Sequence, residues 1–243
     1  MTGFRMKWMS AVTAVLLGAG GAAQGAVQGY DPYDDELPGA AGFALTGNDF
    51  ITGVSGGFAA TTIVPSSGNW RFNSAGFSNA TGWTVDTRFQ IDPNNTAGQR
   101  AIGLLVREPG GGQLELEIKK GSFFVAGEGA GVLGSEQFVT LSDSFHTLRL
   151  TRLGTNVRAY LDDNPTPLVN ATFSQTQDFG GNFLFWGRVG GDNAGSAVVD
   201  FIQFDNTQAL QAPPGTEAGH NVPEPAAAAL LVLGTMALLR RRR

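Results

Sequence analysis

Two carboxylates stand two residues apart in the run Leu114-Glu-Leu-Glu-Ile-Lys-Lys120. If that run is a strand, Glu115 and Glu117 share one face at roughly 6.5 Å, near the separation of the acid and base that hydrolyse a glycosidic bond. No aspartate stands between them, and Lys119 can pair with either. A solvated strand face is therefore the expected reading, with glycoside hydrolysis as the alternative.

A second chemistry is suggested by oxygen-rich turns. Asp162, Asp163 and Asn164 are consecutive, as are Asp192 and Asn193, and a calcium ion takes six to eight such oxygens. The same residue types also serve in ordinary turns, where their side chains bond the nearby backbone. No cofactor is expected, with calcium as the candidate ion. Trp70, Trp83 and Trp186 offer stacking platforms for sugar rings if they are exposed. Trp83 follows the apolar parity of its run and is expected in the core, leaving Trp70 and Trp186 as the ligand candidates.

Two further motifs fail on context. Gly53-Val-Ser-Gly-Gly57 has the form of a serine nucleophile elbow, with His146 downstream, but no helix pattern follows Ser55. Gly129-Ala-Gly-Val-Leu-Gly134 has the spacing of a dinucleotide loop, yet a strand-like run follows where the pyrophosphate needs a helix N-terminus. The other histidine, His220, lies in a polar spacer, so no histidine metal centre is expected in the core. There is no cysteine, which removes disulfides, thiol nucleophiles and thiolate metal sites.

The elements that must position these residues read as strands. Trp83-Thr-Val-Asp-Thr-Arg-Phe-Gln-Ile91 alternates with period two, placing Trp83, Val85, Phe89 and Ile91 on one face and Asp86, Arg88 and Gln90 on the other. Similar runs are expected over 101–107, 114–118, 123–126, 137–141, 147–153, 157–161, 171–173, 183–189 and 198–204. Turn signals such as Pro109-Gly-Gly-Gly112 and Leu153-Gly-Thr-Asn156 separate them. The 35 glycines and 11 prolines agree with many tight turns. These features predict an all-β, antiparallel two-sheet sandwich or jelly roll over residues 45–206, after an acidic, mobile lead-in over 27–44 and before a polar spacer over 207–221.

Charge narrows the partners. The formal net charge is −5, but between Val27 and Val222 acidic residues outnumber basic ones by 20 to 10. A core of that sign repels nucleic acid phosphates, so no nucleic acid partner is expected.

The two ends read as an address. Residues 1–26 carry Arg5 and Lys7, an apolar run from Trp8 to Leu17 and a zone of small residues, the layout of a secretory signal cut by signal peptidase. At the other end, Val222, Pro223, Glu224 and Pro225 precede fourteen uncharged residues, Ala226 to Leu239, and then Arg240, Arg241, Arg242 and Arg243. Pro223 and Pro225 cannot continue a helix upstream, so the strip around Glu224 is expected to be extended and accessible just outside the membrane. A helix spanning Ala226 to Leu239 rises about 21 Å, short of the roughly 30 Å hydrocarbon core. The terminal arginines favour the cytoplasmic side. In its order of parts this segment, residues 222–243, resembles the PEP-CTERM sorting signal of Gram-negative bacteria. The resemblance implies an inner-membrane-anchored precursor recognised by an exosortase near the Pro-Glu-Pro strip. Release to the cell surface or an exopolysaccharide matrix would follow.

The middle carries a second resemblance. Phe145 to Asp162 is similar to the central hairpin of laminin-G-like, concanavalin-like sandwiches, and Ala197-Val-Val-Asp-Phe-Ile-Gln-Phe204 to their closing strand. Glycosidases of that architecture carry Glu-x-Asp-x-x-Glu or a close relative, from which Glu115 and Glu117 depart. The expectation is therefore a non-enzymatic structural or polysaccharide-binding module, exported and sorted through its C-terminus. The alternative is a surface glycoside hydrolase or lyase.

Overall fold

A computed structural model describes residues 27–110, 112–128, 130–174, 180–188 and 194–212. Several of the expected features lie outside the described residues. These are the signal segment over 1–26, the sorting motif Val222, Pro223, Glu224 and Pro225, the apolar helix after it, and the cluster Arg240, Arg241, Arg242 and Arg243. Asp192 and Asn193, the second oxygen-rich turn, also lie outside them.

Sixteen strands are described, with one short 3-10 turn at Pro32–Asp34. They are β1 (Gln28–Tyr30), β2 (Ala44–Thr46), β3 (Ile51–Ser55), β4 (Phe58–Ile63), β5 (Asn69–Asn73), β6 (Trp83–Ile91), β7 (Arg100–Glu108) and β8 (Gly112–Lys119). After these come β9 (Ser122–Gly127), β10 (Gly131–Val132), β11 (Gln137–Phe138), β12 (His146–Leu153), β13 (Asn156–Leu161), β14 (Val169–Thr172), β15 (Phe183–Gly187) and β16 (Gly195–Asp205). Among the described residues no helix is long and apolar enough to cross a membrane.

The strands form two antiparallel sheets. The first runs β14-β13-β12-β6-β16-β4-β3, with β1 added beside β16, and the second runs β10-β9-β8-β7-β15-β5-β2, with β11 added beside β9. Alternating side chains decide which face each sheet turns inward. In β6, Trp83, Val85, Phe89 and Ile91 are buried in the core, as the alternation predicts. In β8 the inward row is Leu114, Leu116 and Ile118, and in β7 it is Ile102, Leu104 and Val106. Fully burying each such side chain contributes about 1.5–3 kcal/mol.

Two of the charged members of the interior are paired with each other. Arg152 on β12 and Glu108 on β7, 1% and 2% exposed, form an ion pair linking the two sheets. Arg152 Nε also donates to the carbonyl of Gly154 at 3.0 Å.

The segment over 27–44 corrects the expected mobile lead-in. β1 pairs with β16 through Gln28, Gly29 and Tyr30. Tyr30 is buried, with its ring stacked 5.6 Å from that of Trp186, and Phe43 packs against Phe72. The acidic composition concealed these two aromatic anchors. The start of the expected spacer is ordered too: residues 208–212 cross the outer face of the first sheet. The Thr84 hydroxyl donates to the Gln208 carbonyl at 3.1 Å and accepts from the Leu210 N–H at 2.8 Å.

Candidate functional site

The outward rows of the second sheet bring together residues that are distant in sequence. On β8 the outward positions are Gln113, Glu115, Glu117 and Lys119, because Leu114, Leu116 and Ile118 take the core face. Cross-strand register then sets their neighbours. Glu115 lies between Ala126 on β9 and Leu105 on β7, and Glu117 between Phe124 and Gly103. Leu105 lies opposite Phe185 on β15, which lies opposite Arg71 on β5. Arg107 lies between Gln113 and Phe183.

Hydrogen bonds and ion pairs hold the two carboxylates. Glu117 is 3% exposed and forms an ion pair with Arg100, whose guanidinium lies across it. Burial pushes the Glu117 carboxyl up to about 7, against the pull of Arg100 and with a push from Glu115. Glu115 is half-buried and accepts a hydrogen bond from Gln113 Nε2 at 2.9 Å. Its carboxyl is also raised, first by burial and then by the charge of Glu128, while the Gln113 bond works in the other direction. The Gln113 amide is oriented in turn by Arg107 Nε, which donates to Gln113 Oε1 at 3.0 Å. These carboxyls are not the solvated strand face that their spacing suggested.

Lys119 does not pair with either glutamate of the site. Its ammonium donates to Glu136 at 2.8 Å, where Ser122 also donates at 2.6 Å. The cation beside Glu117 is Arg100, from the neighbouring strand.

The floor beside the carboxylates is apolar. Leu105 and Phe183 are buried in a small cluster with Phe185 packed against it, on the face turned away from the main core. Phe183 and Phe185 were concealed by Trp186, which holds the opposite parity in Phe183-Leu-Phe-Trp186. The alternation in Asn69-Trp-Arg-Phe-Asn73 likewise sends Arg71 outward once Trp70 is known to be inward. Which parity faces the core needs the sheet, and so neither signal was decisive along the chain.

The tryptophan candidates are corrected. Trp70 and Trp186 are 7% and 0% exposed and belong to the core between the sheets. Trp70 Nε1 donates to Asp49 at 3.1 Å, and the Trp186 ring stands edge-on to Phe50 at 5.1 Å. A sugar ring cannot reach either.

The oxygen-rich turn at Asp162, Asp163 and Asn164 does not converge. Asp162 Oδ2 bonds His146 Nδ1 at 2.9 Å, its Oδ1 accepts from the Thr147 N–H at 2.8 Å, and Asn164 Oδ1 accepts from the Thr166 N–H at 3.0 Å. Among the described residues no group of three or more acidic or histidine side chains is arranged to hold a metal ion. His146 is also engaged through Nε2 by Asp143 at 2.9 Å, and three strands separate β12 from β3, where Ser55 stands. Ser55 ends its strand at a two-residue turn, with Gly56 and Gly57 at φ of 61° and 80°. Glycine is favoured at both positions, which makes this a hairpin turn and not a nucleophile elbow. Gly131 of the dinucleotide-like loop begins the short strand β10.

A cavity of about 370 Å³ opens elsewhere, on the outer face of the first sheet, lined by residues including Thr52, Thr62, Gln90 and Ser196. Its acidic side chain is Asp92, which caps the adjacent turn by accepting from the Asn94 N–H at 2.8 Å. The paired carboxyls therefore lie on the other sheet.

No family model matches the chain, and no curated protein matches it. Solved structures share its architecture. A carbohydrate esterase, vb_24B_21 of the Shiga toxin-encoding bacteriophage phi24B, superposes with a TM-score of 0.53 at 16% identity, over 74% of this chain and 98% of that one. The GH43 protein BlXynB of Bacillus licheniformis superposes with a TM-score of 0.51 at 11% identity, over 72% of this chain and 39% of that one. At these identities the likeness shows the fold alone: an all-β, two-sheet sandwich shared with carbohydrate-active proteins. The expectation that the chain is not an enzyme is corrected on that ground: the architecture is one that a carbohydrate esterase and a GH43 protein also have. The departure from a Glu-x-Asp-x-x-Glu pattern was a poor reason for that expectation, since neither a fold nor the lack of one motif fixes activity.

Proposed function

We propose that the chain is a carbohydrate-active enzyme on a concanavalin-like jelly roll, cleaving glycosidic bonds at the outer face of its second sheet. The observation that carries this is the pair Glu115 and Glu117, which share that face beside an apolar floor, both with carboxyls raised by burial. Glu117, still partly protonated near neutral pH, supplies the proton to the glycosidic oxygen once Arg100 swings aside. Glu115, the more exposed of the two, acts as the base. Their separation of roughly 6.5 Å falls at the lower end of the range for inverting enzymes, where a water fits between base and sugar. We further propose that the precursor is exported, held briefly in the inner membrane and released by an exosortase at the strip of Pro223, Glu224 and Pro225. The enzyme then meets polysaccharide outside the cell.

Reducing-end release from a polysaccharide panel, compared between the wild type, Glu117→Gln and Glu115→Gln, tests the hydrolytic reading. Loss of about 10²–10⁴-fold in each variant is expected for an acid and a base. Unchanged turnover in Glu117→Gln would overturn it.

A further inference from the structure

We propose that Arg71 and Arg107, both stacked on Phe183, form a subsite for an oxyanion carried by the polymer, so that the substrate of this face is an acidic polysaccharide bearing carboxylate or sulfate groups. This rests on the reading of the second sheet as the glycan-cleaving face. Arg71 lies 3.7 Å and Arg107 4.9 Å from the centre of the Phe183 ring. An aromatic face holds a guanidinium in a fixed plane while leaving its edge donors for a ligand.

The two arginines are not equally occupied. Arg107 is committed to Gln113 and through it to the carboxylate side of the face. Arg71, half-buried, forms no ion pair and no hydrogen bond among the described residues, and its Nε is buried without a partner. A half-buried guanidinium beside a second cation is disfavoured unless an anion completes it. The mutual repulsion shows at Arg107, whose pKa is lowered first by burial and then by Arg71.

The placement suits a polymer better than a free ion. From Glu115 on β8 to Arg71 on β5 are three strand spacings, about 14 Å, and the ground between is the apolar floor of Leu105, Phe183 and Phe185. A sugar chain laid across it would set the apolar faces of its rings on the floor and one acidic group against Arg71. The overall charge of the core sharpens this assignment. A domain with twice as many acidic as basic residues repels polyanions at long range. Binding of an acidic polymer must then depend on this local patch.

The test measures binding of the full chain to polygalacturonate, dextran sulfate and neutral dextran by affinity electrophoresis, for the wild type, Arg71→Ala and Arg71→Lys. Dextran is expected to bind at least about tenfold more weakly than the acidic polymer, and Arg71→Ala to lose about tenfold on the acidic polymer, the worth of one charge-assisted contact. Arg71→Lys recovers part of the loss. Thermal melts show whether each variant folds, and the wild-type comparison between polymers stands independently of them. Preference for polygalacturonate assigns a carboxylate, and preference for dextran sulfate a sulfate. Equal binding of dextran, no binding of either acidic polymer, or a folded Arg71→Ala variant of full affinity would overturn the inference while leaving Glu117-dependent cleavage intact. Arg71-dependent binding without cleavage would keep this subsite and remove the hydrolytic reading.

Discussion

Arg100 closes over Glu117 on the outer face of the second sheet, and the carboxyl it covers is nonetheless raised to about 7. Desolvation outweighs the attached cation, which is the condition under which a carboxylic acid keeps its proton near neutral pH.

Activity should follow that proton. The acid must be protonated to work, so kcat/KM falls as pH rises through about 7. In Arg100→Ala the opposing cation is gone, and the alkaline limb moves to higher pH. A pH–rate profile of the two proteins checks the direction.

Stability should carry the same signature. The folded-state carboxyl of Glu117 is raised above its unfolded value, so the folded protein holds the proton more tightly. The associated stability is full below the ordinary glutamate range and is lost as pH rises through about 7. Each such group contributes up to about 1.4 kcal/mol per pH unit within that window. Glu117→Gln removes one proton from the slope, measurable by urea unfolding between about pH 5 and 8.

The Arg152–Glu108 pair that joins the sheets should show the asymmetry of buried ions. Glu108→Ala leaves a buried guanidinium uncompensated and costs about 3–5 kcal/mol, whereas replacing both members with apolar side chains of similar volume costs far less. Chemical denaturation of the single and double variants distinguishes the two outcomes.

The strap over 208–212 depends on Thr84 and Arg149. Arg149, wholly buried, holds Asp86 with bonds of 2.8 and 2.7 Å and donates to the Ala212 carbonyl at 3.0 Å. Thr84→Val removes both strap bonds made by its hydroxyl and is expected to cost about 1–3 kcal/mol. Faster hydrogen exchange at the Leu210 amide would localise the effect. The strap lies on the first sheet, whereas the carboxyl pair lies on the second.

Much of the strand framework was legible along the chain. The run from Trp83 to Ile91 has the bounds its alternation predicts, and the hairpin of β12 and β13 was visible from Thr147 to Leu161 because one turn separates two alternating runs. The individual strands before Trp83 were harder to read. β3 reads Ile-Thr-Gly-Val-Ser and β4 Phe-Ala-Ala-Thr-Thr-Ile, and their small residues and threonines blur the apolar alternation. The site was legible only as the spacing of Glu115 and Glu117.

Residue order alone dictated the class of fold and the parity within each strong strand, since period-two alternation is a property of neighbouring residues. It also carries the terminal segments read as an export and sorting address, from Arg5 at one end to Pro223, Glu224 and the arginine cluster at the other. Packing of the two sheets settled which parity faces the core, and thereby that Trp70 and Trp186 are packing residues while Arg71, Phe183 and Phe185 face outward. It also settled that Arg100, not Lys119, meets Glu117. Those outcomes depend on cross-strand register and on desolvation by distant chain segments, and neither is encoded in local spacing.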